Sequence, residues 1–253
     1  MTGPGLLQAH WPLPLPVRAF TTLRSGGASL PPFDSLNLGQ QTGDAPAALA
    51  ENLRRVTVAA GLPGAPVWLR QVHGAALEDV DVAGARVADA ALTRTPGRVL
   101  AIQTADCLPV VLVAEDGSAL AAAHAGWRGL AAGVLERSAE AVQEVAPRTS
   151  VHAWLGPAIG PAAFEVGAEV VAAFIDQDPE AEIGFVENAR GRWQCDLYTL
   201  ARRALARAGV ASISGGSACT HTDAGHFFSH RRAAPTGRMA TFAWLAPGAA
   251  QTP

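Results

Sequence analysis

Three short apolar runs in the middle of the chain constrain its fold more than any other feature. They read RVLAIQTA at 98–105, LPVVLVAE at 108–115 and SALAAAHA at 118–125, separated by turn-forming residues. Each has the length of a strand. The Asp116-Gly117 pair between the second and third signals a hairpin, because glycine accepts the positive φ that a tight turn needs. Apolarity here is nearly continuous rather than alternating, so both faces of these strands must be covered by helices or by a second sheet. Hydrophobic residues make up 49% of the 253, enough to provide that cover.

The flanking sequence supplies both kinds of element. VRAFTTLRSGG at 17–27 reads as a strand running into a glycine turn, and 46–61 as a helix with Leu49, Leu53 and Val56 on one side. SLNLGQQTGD at 35–44 is loop-like, and VWLRQV at 67–72 is a strand delivering His73 and Gly74 at its end. Leu130, Val134, Leu135, Val142 and Val145 fall at helical spacing over 129–146, where Gly129 loosens the start and Pro147 marks the stop. Further strands are expected at 150–156, 210–215 and 238–245, with helices at 167–176 and 196–208. This mixture predicts an α+β or α/β fold of layered mixed β-sheets with flanking helices. No repeat or long linker interrupts it, and the prolines at 12–16, 247 and 253 read as boundaries of a single domain over 1–253.

Several function classes drop out. No dinucleotide-type glycine fingerprint follows a first strand, and no phosphate loop ends in Gly-Lys-Ser or Gly-Lys-Thr. The net charge of -3 and the scattered arginines leave no electrostatic footprint for nucleic acid or an anionic membrane. All 19 basic residues are arginine, which we read as a coding bias without mechanism. No run reaches the roughly 18 apolar residues that span a bilayer, and the proline-rich start does not resemble a signal peptide. Three distant cysteines, Cys107, Cys195 and Cys219, make a poor disulfide framework, so a reducing cytoplasm is the expected location.

Chemistry concentrates in QVHG at 71–74, TADCLP at 104–109 and AHAGWRG at 123–129. Cys107 precedes one strand of the expected hairpin and His124 ends its partner, so folding at Asp116-Gly117 brings them to one edge. His73 comes from another strand, which the sequence alone does not place. Two imidazoles and a thiolate suit zinc in tetrahedral geometry, and three ligands leave a position open, as in catalytic sites. The same residues without metal suit a cysteine nucleophile, Cys107, with His124 or His73 as its base. A third reading makes Cys107 a buried small hydrophobe and the histidines ordinary polar residues. A fourth is a closed zinc site of a binding protein, completed by Cys219 or His221. Asp106 is the carboxylate placed to orient a ligand histidine or to move a proton. Candidates for holding an oxyanion or substrate are Arg24 beside Ser25-Gly26-Gly27, Asn37 beside Gly39, Gln71, and Arg128 next to Trp127. Cys219-Thr220-His221 and the 226–232 stretch form a second polar-aromatic cluster, in which Arg231 and Arg232 also read as plain anchors of the last strand.

With SLNLG at 35–39, RQVHG at 70–74, TADCLPV at 104–110, AAHAGWRGL at 122–130, GPAIG and FEVG within 156–167, and CT with FFSHRR within 219–232, the chain resembles a known bacterial family. That family was first labelled multicopper polyphenol oxidoreductases or laccases, was later described as purine nucleoside phosphorylases, and is related to a peptidoglycan editing factor. The resemblance implies zinc on His73, Cys107 and His124, and a fold similar to the cytotoxin deamidase-like cysteine hydrolases. It implies phosphorolysis of adenosine, inosine and 5′-methylthioadenosine, with adenosine deamination as a side activity. The partners implied are purine nucleosides and phosphate, with homo-oligomer formation left open. Asp106 or His221 would hand a proton to the leaving purine, with Cys107 in the catalytic set. The alternative implied by the editing relatives is hydrolytic removal of misincorporated L-serine from a cytoplasmic cell-wall precursor. Members often carry histidine where Gln41 stands and glycine where Ala90 stands, which puts any proton relay through position 41 in doubt. The copper label fits poorly: seven histidines, scattered singly, cannot build a mononuclear centre and a three-copper cluster.

Overall fold

The second apolar run becomes strand β7 (Leu108–Ala114), with all seven residues buried, and the third becomes β8 (Leu120–Ala125), also wholly buried. They pair antiparallel with Leu108 opposite Ala125 and Pro109 opposite His124, as the Asp116-Gly117 turn requires. The computed structural model describes residues 3–84 and 86–246. Around this hairpin lie β4 (Leu77–Asp79), β5 (Ala90–Thr93), β9 (Val151–Leu155) and β13 (Ser212–Gly215), giving a six-stranded mixed sheet in the order β13-β9-β7-β8-β5-β4. A five-stranded sheet runs β1-β2-β14-β6-β3, from β1 (Leu6–Gln8), β2 (Val17–Thr22), β3 (Val67–Trp68), β6 (Leu100–Thr104) and β14 (Met239–Leu245).

The alternation of side chains along β7 explains why the run had to be apolar on both faces. Val111 and Val113, with Leu120 and Ala122 of β8, pack against Val17, Leu100, Ile102 and Leu245 of the five-stranded sheet. Val110 and Leu112 face the other way, onto helices α3 (Val134–Val145) and α5 (Leu197–Arg207). On its outer side the five-stranded sheet presents Phe20, Phe242 and Trp244 to Val56 of helix α1 (Pro46–Ala60). The layers therefore run helix, sheet, sheet, helix. Each fully buried Leu or Val contributes about 1.5–3 kcal/mol. A smaller sheet in the order β10-β12-β11, from β10 (Glu165–Val166), β11 (Phe185–Glu187) and β12 (Trp193–Cys195), sits with helix α4 (Ala168–Ile175) at the flank. No helix among the described residues is long and apolar enough to cross a membrane.

Three expectations need correction. The helix expected over 129–146 is two, α2 (Trp127–Ala131) and α3, because Gly133 adopts φ 84 and breaks the helical path. The strand expected over 67–72 stops at Trp68. Beyond it, the Gln71 side chain takes over the ladder, donating to the Gln103 carbonyl and accepting from the Gln103 N–H, both at 2.9 Å. That frees the backbone from 69 onward to leave the sheet and carry His73 inward. The prolines at 12–16 are not a boundary: β1 precedes them and pairs antiparallel with β2, so they fill the connection between two strands, where a missing N–H is tolerated. Pro247 and Pro253 lie outside the described residues.

Candidate metal centre

The hairpin register sets Cys107, just ahead of β7, across from Gly126, just after β8, with His124 beside them. A Cβ at Gly126 would sit 2.8 Å from the Cys107 sulfur and 3.4 Å from His73 Cδ2, so glycine keeps this space free for both side chains. Gly129 acts similarly one turn on, since a Cβ there would meet the Gly74 carbonyl at 2.6 Å; its absence lets α2 close against the His73 loop. The donor atoms of His73, Cys107 and His124 lie within 4.8 Å of one another. The two imidazole rings meet edge to face. Tetrahedral zinc with ~2.0–2.3 Å bonds holds its donors roughly 3.3–3.8 Å apart, so small side-chain adjustments would let all three reach one ion.

One buried carboxylate organises the centre. Asp89, fully buried ahead of β5, accepts the backbone N–H groups of Val72, His73 and Gly74 at 3.2, 2.9 and 2.7 Å. Its Oδ1 also lies 2.8 Å from His124 Nδ1, and its carbonyl accepts the His124 N–H at 2.7 Å. With Nδ1 on Asp89, Nε2 of His124 is left for the centre. The same bonds hold His73 at φ 61, which a side chain rarely adopts without such restraint. Burial alone would lift the Cys107 thiol, but the positive charge of His124 and hydrogen bonds from His124 and His73 outweigh it and bring the thiol down to about 6. Burial opposes charging of His124 in turn, while the Cys107 thiolate and Asp89 raise its basicity. Without metal, each member of the pair favours the charged form of the other.

The centre opens into a cleft of ≈ 440 Å³ whose walls include Gln40, Gln41, Gln71, Gln103, His230 and Arg238. Of the residues expected to bind substrate, Gln71 lies in this wall, with its amide committed to Gln103. Arg24 does not line the cleft: its guanidinium bonds to Asp34 and the Ala224 carbonyl and stacks on Phe228. Asn37 is buried and structural, accepting from the N–H groups of Gly39 and Arg238 and donating to Thr42 and Asp44. Arg128 stacks over Trp127 at 4.3 Å and lines a different depression, shared with Arg192 and Arg231. Trp127 itself packs, partly buried, against the core.

The proposed proton carriers also differ from expectation. Asp106 neither orients a histidine nor lines the cleft: Thr220 Oγ1 and the Arg231 N–H, both at 2.7 Å, occupy its two oxygens. It pins the 219–231 loop to the strand end, at φ 91. The histidine-orienting carboxylate is Asp89. His221 stays out of the cleft wall, and its carbonyl, with those of Thr220 and Phe227, is capped by Arg232, which is thus an anchor. Besides the donors His73 and His124, the histidine that lines the cleft is His230. Cys219 accepts the Gly160 N–H instead of joining the centre, and neither it nor His221 belongs to the metal-competent group. Gln41 lines the cleft, and Ala90 is buried within the six-stranded sheet. Sequence reasoning missed Asp89 and Arg238. An acid in the otherwise apolar VADAALT stretch was the available signal for the first, and an arginine opening the last strand for the second.

A mixed α+β fold with a two-histidine, one-cysteine centre at a hairpin edge defines a metal-competent enzyme-like site. Residues 18–246 match the family described as multi-copper polyphenol oxidoreductase laccase, and the chain belongs to that family. It is 49% identical to a Shigella flexneri protein named purine nucleoside phosphorylase YfiH, over 95% of this chain and 98% of the relative. It is 51% identical to a Xylella fastidiosa purine nucleoside phosphorylase, over 95% and 96% respectively. A crystal structure of a Neisseria meningitidis protein superposes with a TM-score of 0.89 at 43% identity, covering 95% of this chain and 99% of that one. The several copper sites of the family's description would need more than one donor group. Among the described residues, His73, Cys107 and His124 are the one group of three or more His, Cys, Asp or Glu side chains close enough to share an ion.

Proposed function

We propose that the protein is a zinc-dependent purine nucleoside phosphorylase, acting with phosphate on adenosine, inosine and 5′-methylthioadenosine within a single cytoplasmic catalytic domain. The observation that carries this reading is the convergence of three zinc-type donors, with no fourth among the described residues, in a polar cleft of a chain about half identical to relatives named for that reaction. The fold likeness to cytotoxin deamidase-like hydrolases belongs to the same proposal.

The donors fit zinc because a soft thiolate and two imidazoles in a mixed set are what it favours, and the Asp89 bond presets the His124 tautomer. Bound zinc would supply Lewis-acid polarisation of a substrate atom. The chain's residues do the rest. The Gln71–Gln103 pairing stiffens one wall, and Asn37 holds the 39–42 loop that forms another, so a nucleoside meets a preset shape. His230, at the cleft rim, is the group positioned to hand a proton to the departing purine. Adenosine deamination in the same cleft would need a second orientation, with C6 rather than C1′ toward the centre. The Cys107–His124–Asp89 alignment favours a second reading, a metal-free cysteine hydrolase, because it supplies nucleophile, base and orienting carboxylate.

The test is metal analysis of the purified protein with mass spectrometry of its reaction with adenosine, with and without phosphate. Stoichiometric zinc and phosphate-dependent release of adenine and ribose 1-phosphate are expected. Zinc-free protein that still turns over, or release of serine from a serine-bearing cell-wall precursor with no nucleoside cleavage, would replace this reading.

A further inference from the structure

The cleft wall contains no aspartate or glutamate, and its one fixed cation is Arg238. No carboxylate among the described residues forms an ion pair with this guanidinium, although it is half-buried. Its Nη1 donates to the Thr236 and Gly237 carbonyls at 2.9 and 3.0 Å, which fixes the plane of the fork, while Nε and Nη2 find no acceptor among the described residues. The backbone is held too, by the bond from its N–H to Asn37 Oδ1 at 2.8 Å. The alkyl stem lies against Gly39, where a Cβ would meet Arg238 Cγ at 2.7 Å. A guanidinium this well anchored and partly desolvated, with no carboxylate hydrogen-bonded to it and only the Cys107 and Asp106 charges nearby, is poised for an oxyanion.

A second observation points to the same place. Thr104 ends β6 directly opposite Met239, next to Arg238, and also lines the cleft. It is 2% exposed, yet its Oγ1 has no hydrogen-bond partner. Buried hydroxyls are normally satisfied, so this orphaned one leaves a hydrogen-bonding group unused at the Arg238 corner of the cleft. Arg238 also lies close enough to Cys107 to feel its charge, which places this corner beside the metal centre.

We propose that Arg238 and Thr104 form the oxyanion subsite of this cleft and hold inorganic phosphate. The proposal rests on the phosphorolysis reading for its reaction, and on the geometry alone for its ligand class. In the reaction, an oxygen of the held phosphate forms the bond to C1′ as the C1′–N9 bond breaks. The electron pair of that bond leaves with the purine, which takes up one proton, and the products are ribose 1-phosphate and free base.

The experiment compares wild type, Arg238→Met, Arg238→Lys and Thr104→Val, all checked for zinc content and for circular dichroism without phosphate. Arg238→Met should raise the phosphate KM about 10- to 100-fold, the loss expected for one charge-assisted contact, and leave the nucleoside KM within about twofold. Arg238→Lys should recover part of that, and Thr104→Val should cost about three- to tenfold. A second readout needs no turnover: phosphate should raise the melting temperature of wild type and of metal-stripped wild type, but not of Arg238→Met. An unchanged phosphate KM in Arg238→Met, or a melting shift that disappears when metal is removed, would overturn the subsite. Should wild type cleave no nucleoside while the shift still depends on Arg238, the subsite stands and phosphorolysis falls. A wild type with neither turnover nor shift overturns both.

Discussion

The β7–β8 hairpin closes differently at its two ends. At the outer end, Gly117 takes φ 75, its N–H bonds the Ala114 carbonyl, and Asp116 accepts from the N–H and hydroxyl of Ser118. Every one of those partners lies within three residues. At the inner end, the left-handed positions belong to His73 and Asp106, which are not glycines. They are held by Asp89, Thr220 and the Arg231 backbone, and the last two lie more than a hundred residues from Asp106. A turn that only reverses the chain is satisfied locally. A site that must place two imidazoles and a thiolate on one point relies on restraints from distant segments, and it spends conformational strain to do so.

If that contrast is right, damage at the inner end should reach function, and damage at the outer end should not. Cys107→Ala or His124→Ala should have the largest effect, with zinc falling to background and kcat/KM for phosphorolysis dropping by about 10³-fold or more, read by metal analysis and product assay. Retention of stoichiometric zinc in an inactive Cys107→Ala would instead support the nucleophile reading. Asp89→Asn should weaken zinc about 10- to 100-fold in chelator competition, because it disturbs both histidines together, and lower stability by about 1–3 kcal/mol in urea. A variant that loses stability but keeps wild-type zinc affinity would reduce Asp89 to a scaffold residue.

The thiol offers a finer probe. In metal-stripped protein carrying Cys219→Ser, alkylation of Cys107 by iodoacetamide should follow a thiolate with a midpoint near pH 6, since a lowered pKa keeps the anion present above that value and loses it below. Cys195, fully buried and pushed up to about 12, should stay silent across the range. A midpoint in the ordinary thiol range would mean that His124 does not carry the charge assigned to it. The smallest effect belongs to the outer turn: Gly117→Ala should cost about 1 kcal/mol in denaturation and leave zinc content and turnover untouched. Loss of zinc there would show that the two ends are coupled after all.

The legible parts of this molecule were those governed by short-range rules. Runs of Val, Leu and Ala with a two-residue turn between them imply a doubly covered hairpin, and the register of that hairpin places Cys107 and His124 at one edge. The substrate-binding candidates were less legible, because every arginine beside a glycine looks alike in one dimension. Arg24 is paired with Asp34, Arg128 stacks on Trp127 in a different depression, and Arg238 is the arginine that lines the cleft. Likewise Asp106 sits next to Cys107 in the chain and was the natural partner for a histidine, yet Asp89 holds that place.

What the chain by itself determined is the layered core and two of the three donors, since continuous apolar runs and a tight turn act over a few residues. The arrival of His73, the choice of Asp89 as its restraint and the exposure of Arg238 were decided only when the two sheets packed. Neighbours across layers are set by burial of whole faces and by hydrogen bonds that buried carboxylates and amides must find. Those partners come from wherever the chain happens to pass.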